Sequence, residues 1–206
     1  MPSFADYMDP RVGISRAFQS QTYIQDRIDV QDTGIYDTIT ITAGNPLTAG
    51  TQFFSSVGQG SGKNLAQTNM TQSQRLPSPQ AFSIHAFRLR WSENILQADA
   101  LALLNGFALE FYLGDKWYQR NPIWHYAGGG GLTGFSVQNN AYAYSNGMNT
   151  REAIKALRIP IVIENGMNFY GQLVGTSSIT LTAGGSGGTG LILTLFLDGL
   201  YARGVQ

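Results

Sequence analysis

The stretch TGLILTLFLDGLYARGVQ, residues 189–206, decides how this chain is read. Leu191, Leu193, Leu195 and Leu197 fall on one face of an extended strand, and Ile192, Thr194 and Phe196 on the other. Strict alternation of apolar and polar residues would mark a half-wet strand. Apolar residues on both faces mark a strand covered on both sides. The stretch is therefore expected to be a central strand, one face in the core and the other against the chain's own loops or a neighbouring subunit. As a membrane anchor it is too short: the apolar run covers residues 191–197 before Asp198 interrupts it. A helix needs about 20 apolar residues to cross a bilayer.

Working back from this strand, the text reads β almost throughout. Residues 36–42 (YDTITIT) alternate with period two, and residues 51–57 give a second candidate strand. Residues 58–79 are rich in Gly and Gln and form a long loop, of the kind that is functional or packed on something. Residues 81–91 (AFSIHAFRLRW) read as a long strand whose phase shifts near Phe87. QADALALLN at 97–105, stopped by Gly106, is the clearest helical signal. Residues 107–113, turned by Gly114-Asp115, lead into a return strand from Lys116. Residues 159–163 read as a strand that Pro160 places at an edge or near a strand start. Asn165-Gly166 is the strongest hairpin signal, with strands expected at 168–174 and 178–182. Four glycines follow in a row at 128–131, and the glycines at 184–188 mark a flexible loop.

The expected fold is all-β: a single jelly-roll β-sandwich or barrel of about eight strands, with one short helix. Residues 35–206 form this one domain. Residues 1–34, polar with scattered Phe4, Tyr7, Phe18 and Tyr23, form an extended N-terminal arm or a flexible tail.

Composition narrows the function. Of 206 residues 43% are hydrophobic but only 13% charged, about half the usual share, so the surface suits a protein covered by neighbours. Lys+Arg and Asp+Glu are both 13, and the nearest basic group is Arg151, Lys155 and Arg158, on a helix face or a loop. Direct nucleic-acid binding is not expected. With no cysteine, disulfides, thiol catalysis and Cys-ligated metals are excluded. The opening MPSFADYMDPRVG lacks the basic-then-apolar pattern of a signal peptide.

No constellation for chemistry assembles. Gly58-Gln-Gly-Ser-Gly-Lys63-Asn64 resembles a phosphate loop, but the required first glycine is Val57 and Asn64 replaces the magnesium-binding hydroxyl. His85 and His125 have no metal-ligand spacing. Glu110, opposite in phase to Leu109 and Phe111, is expected in solvent or an interface. No nucleophile elbow is present. No catalytic, cofactor or metal site is expected, and the chain is not read as an enzyme. Trp117, Trp124 and Tyr126 are candidates for stacking on a glycan, which keeps a lectin-like or spike module as the alternative.

Four segments carry a resemblance: LPSPQAFSIHAFRL at 76–89, FALEFYLGDKWYQRNPIW at 107–124, RIPIVIENGMNFYGQLVG at 158–175 and LILTLFLDGLYARGVQ at 191–206. In this order the chain resembles the jelly-roll capsid proteins of tailless icosahedral bacteriophages, over about two-thirds of its length. The resemblance implies a structural virion protein, a capsid subunit assembled in the host cytoplasm into an icosahedral shell by lateral loop and arm contacts. Its partners would be copies of itself and other shell proteins, with a lipid membrane under the shell left open.

Overall fold

The computed structural model describes residues 28–42, 44–58, 60–91, 95–126, 130–133, 142–143, 145–147, 155–175, 178–180 and 191–204. The elements are β1 (Ile28–Ile41), β2 (Pro46–Leu47), β3 (Gln52–Phe53), β4 (Gln80–Trp91), β5 (Ile95–Leu96), helix α1 (Gln97–Gly106), β6 (Phe107–Leu113), β7 (Lys116–Pro122), a 3-10 turn (Ile123–Tyr126), β8 (Gly130–Thr133), β9 (Tyr142–Ala143), β10 (Ser145–Gly147), β11 (Lys155–Ile163), β12 (Phe169–Gly175), β13 (Ile179–Thr180) and β14 (Leu191–Gly204). The fold is all-β. Two four-stranded antiparallel sheets, ordered β1-β14-β4-β11 and β3-β12-β6-β7, face one another, with three two-stranded ribbons beside them.

The strand read first from sequence is central. β14 pairs with β1 over all fourteen residues, Ile28↔Gly204 through Ile41↔Leu191, and on its other side with β4. Leu193, Leu195 and Leu197 are fully buried between the sheets. Burial of each such side chain contributes about 1.5–3 kcal/mol. The sheets meet closely: Phe87 of β4 lies edge-on to Phe111 of β6 at 5.1 Å. A Cβ on Gly171 of β12 would come within 2.6 Å of Leu195 Cδ2, so a bare glycine lets β14 approach. On the outward face of β14, Phe196 is covered by its own sheet, 5.2 Å from Tyr36 and with the Arg88 guanidinium 5.0 Å from its ring centre, while Ile192 is exposed.

The phase shift in residues 81–91 is a β-bulge. Asp198 pairs with Ala86 but Gly199 pairs with Ile84, leaving His85 unpaired. Phe82 and Ile84 are buried before it, Phe87, Leu89 and Trp91 after it. The bulge draws β4 onto Gly199, where an added Cβ would sit 1.8 Å from the Ser83 carbonyl oxygen.

Four expectations change. β1 begins at Ile28, so residues 28–34, assigned to the arm, are a strand paired with β14; residues 1–27 lie outside the described residues. The strand expected over 51–57 is only Gln52–Phe53, because Phe54 takes a left-handed φ of 66° and turns the chain. Lys155 and Arg158 belong to β11, not to a helix or loop. Asn165-Gly166 makes no hairpin, since β11 pairs with β4 and β12 with β3 and β6. The turn closes with Met167 N–H donating to Glu164 O at 3.2 Å, and only Gly166 of its two central residues has positive φ, 74°. A tight two-residue hairpin with Asn-Gly needs positive φ at both. Pro160 does lie on an edge strand, β11, and α1 ends at Gly106 as read.

The loop of residues 58–79 covers the outer edge of β1. Asn69 accepts from Tyr36 N–H at 3.0 Å and donates to Gly34 O at 2.7 Å, while Thr68 Oγ1 donates to Tyr36 O at 3.0 Å. Side chains here take the place of a further strand.

The bulge yields a direct test. Gly199→Ala should lose about 3 kcal/mol or more, since the clash is with the β4 backbone at Ser83 and Ile84, which cannot swing aside as a side chain can. Gly114→Ala, with φ 59° but nothing within 4 Å, should lose about 1 kcal/mol. Urea midpoints of the two variants give the comparison, and equal midpoints would contradict the bulge geometry.

Candidate functional site

The sequence's apparent phosphate loop is a structural clamp. Lys63 reaches inward and its Nζ pairs with Asp37 Oδ1 at 2.8 Å. Asp37 is fully buried on the inward face of β1 among Ile35 and Ile41. Its second oxygen, Oδ2, accepts the N–H of Phe54 at 2.7 Å. A lysine committed to a buried carboxylate is not free to hold a phosphate. Nothing in the local sequence marked this partner, which lies 26 residues away in the chain.

The histidines are structural. His85 is the bulge residue, and its ring lies 3.2 Å from Ser83 Oγ. Burial pulls its pKa below the usual histidine value, with the Asp32 charge opposing. His125 in the 3-10 turn stands edge-on to Tyr126 at 5.3 Å and to Trp124 at 6.2 Å. Among the described residues no group of three His, Asp or Glu is placed to hold a metal ion, and no helix is long and apolar enough to cross a membrane.

The three candidate glycan-stacking residues are not brought together. Tyr126 is only 1% exposed, so its ring cannot meet a ligand. Its hydroxyl accepts from Asn121 Nδ2 at 2.9 Å. Trp117 and Trp124 are 56% and 59% exposed. They sit at opposite ends of β7, with about 17 Å of extended strand between Trp117 and Pro122 alone. Proximity in sequence misled here because β7 carries the chain away at about 3.3 Å per residue.

Glu110 also departs from expectation. It lies on the outward face of β6, as its phase requires, yet is only 4% exposed. Arg120 Nε donates to its Oε1, and the Tyr112 hydroxyl donates to its Oε2 at 2.7 Å. That bond to the carboxylate raises the Tyr112 pKa. Tyr112 in turn stacks on Tyr170 at 4.9 Å and 10°. The signal for this cluster is the β6–β7 register, Glu110↔Arg120 and Tyr112↔Trp117, which the sequence does not display.

Two cavities open beside the first sheet. One of about 320 Å³ lies between Thr38, Thr194, Arg90 and Ile192 and the loop at Ala66-Gln67. One of about 200 Å³ lies between the β1 edge and Met70, Leu76 and Pro77. Compared with family models, with curated proteins and with solved structures, the chain matches none.

Two outcomes follow from these clusters. Lys63→Ala leaves the Asp37 charge buried without its partner and should cost about 3–5 kcal/mol, whereas Asp37→Asn with Lys63→Met should cost much less. Chemical denaturation of the single and double variants measures the difference. For Tyr126, burial pushes the pKa up to about 12 from 10.0, with the Asn121 bond opposing. The folded chain then holds a proton that the unfolded chain releases, so this contribution is full below pH 10 and lost as pH rises toward 12. Alkaline unfolding followed by circular dichroism should be shallower over that window in Tyr126→Phe.

Proposed function

We propose that the chain is a jelly-roll subunit of a virion shell. The observation that carries this is the strand order. Numbered one to eight in chain order, the strands of the two sheets run 1-8-3-6 and 2-7-4-5. The pairs 1-8, 2-7, 3-6 and 4-5 are nested, as in one long antiparallel ribbon doubled back at the β6–β7 turn. Wound up, this ribbon brings 8 beside 3 and 7 beside 4, and the sheets close over the core. This order supports the jelly-roll reading, a fold used by capsid and lectin domains alike.

The shell half of the reading rests on the surface. Charge is sparse, 13% of residues, and the strands at both edges of the first sheet carry an exposed β-branched residue, Val30 on β1 and Ile159 on β11. Arg158 and Pro160 blunt part of the β11 edge as in a free sheet, but Val30 and Ile159 stay open. Neighbouring subunits would cover them, and repetition of a weak contact around a ring makes it effective. Residues 1–27 would supply a further contact with a neighbour. The module reading built on Trp117, Trp124 and Tyr126 together loses its geometry, because Tyr126 is buried.

The test is assembly. The purified full chain should form rings or closed shells by sedimentation and negative-stain electron microscopy. Deletion of residues 2–27, which leaves β1 whole, should reduce assembly without changing the circular dichroism. A monodisperse monomer at high concentration, indifferent to that deletion, would overturn the reading.

A further inference from the structure

We propose that the outward face of the β3-β12-β6-β7 sheet is a binding site for a neutral glycan, with Trp117 as the stacking surface beside the hydrogen-bonding groups of Gln172 and of Arg120, which Glu110 holds in place. This does not rest on the shell reading.

Register builds the site. Two rows cross the strands side by side: Tyr170, Tyr112 and Trp117 in one, Gln52, Gln172, Glu110 and Arg120 in the other. The Tyr112–Tyr170 ring spacing of 4.9 Å equals the spacing between strands, so the two rings stand upright as a rigid rib. The free aromatic surface of this row is therefore the indole of Trp117. It is more than half exposed, and the Arg120 guanidinium lies 5.4 Å from its ring centre. Among the described residues Trp117 makes no ring contact and its Nε1–H has no hydrogen-bond partner.

The polar row narrows the ligand. Glu110 sits on a water-facing side of a sheet yet is buried under Arg120 and Tyr112, which fix both its oxygens. Its charge cancels that of Arg120, so the face offers no net attraction to a polyanion or a cation. What remains within reach of a ligand are the guanidinium N–H groups of the exposed Arg120 and the half-buried Gln172 amide. A pyranose has matching chemistry, an apolar C–H face for the indole and vicinal hydroxyls for the row. A second copy of the chain fits less well, because an apolar contact would have to bury the exposed Arg120 guanidinium and the Gln172 amide without new partners.

The experiment titrates the intact protein with three neutral hexasaccharides, cellohexaose, maltohexaose and chitohexaose, followed by calorimetry and tryptophan fluorescence. At least one should bind saturably. Trp117→Ala should weaken it by about 10-fold or more, as expected for loss of one aromatic stack. Gln172→Ala should weaken it less, and Trp124→Ala, at the far end of β7, should leave it unchanged. Circular dichroism of each variant reports folding, and Trp117 is exposed enough to be replaced without loss of core. Failure of all three sugars to bind overturns the proposal, as does unchanged binding by folded Trp117→Ala. Loss of self-association in Trp117→Ala with no sugar bound also overturns it, and makes the face a subunit contact instead.

Discussion

A carboxylate on the core side of a strand must be neutralised, and much of this molecule is arranged around meeting that demand for Asp37. Lys63 supplies the charge and Phe54 N–H the second bond. To present that N–H, the chain leaves β3 through a left-handed residue, which drops the Phe54 ring into the core at 5.3 Å from Phe169. Phe54 O then accepts from Gln74 N–H, and Gln74 O accepts from Phe169 N–H, both at 2.9 Å. One buried charge thus ties the first strand, the end of β3, both ends of the long loop and β12 into a single register. Its net contribution to stability is small, since desolvation offsets much of the attraction. The gain is in position: no apolar substitute would fix where the loop returns.

The loop so fixed closes the edge of β1, with Asn69 and Thr68 bonding Gly34 and Tyr36 as a strand would. It stops short of the first residues of β1, where Val30 is exposed. The sheet therefore has an edge that is half finished by its own chain. Its outward face, by contrast, is largely closed on itself. Arg88 grips Asp198 with two bonds at 2.5 and 2.6 Å and lies over Phe196, and Thr38 and Thr194 share a hydroxyl bond at 3.0 Å.

What was legible in the sequence was local. The alternation in residues 191–197, the phase break at the His85 bulge and the glycine stop after α1 depend on near neighbours, and they read correctly. What failed depended on register or on distant partners. The sequence excluded a phosphate loop at residues 58–64 but gave Lys63 no partner, because Asp37 is invisible from it. Asn165-Gly166 looked like a hairpin because dipeptide composition does not say which sheet the next strand joins. Glu110 looked wet because phase gives the face of a strand and not its cover. Tyr126 looked available because a short 3-10 turn after β7 swings alternate aromatics in and out, leaving Trp124 exposed and Tyr126 buried.

The same distinction separates the two outward faces of the fold. On the first sheet the outward aromatic, Phe196, is sandwiched by Tyr36 and Arg88, so its surface is used within the subunit. On the second sheet the corresponding aromatic rib ends in Trp117, which is covered by Arg120 from its own strand and, among the described residues, by no second ring. An arginine held by Glu110 and set beside an indole orders both side chains before any ligand arrives, which lowers the entropy lost on binding. If neighbours cover the edges at β1 and β11, as the shell reading proposes, this face is not needed for assembly. Edge contacts and a preorganised outward sheet are compatible in one molecule because the doubled-back ribbon places them on different sheets.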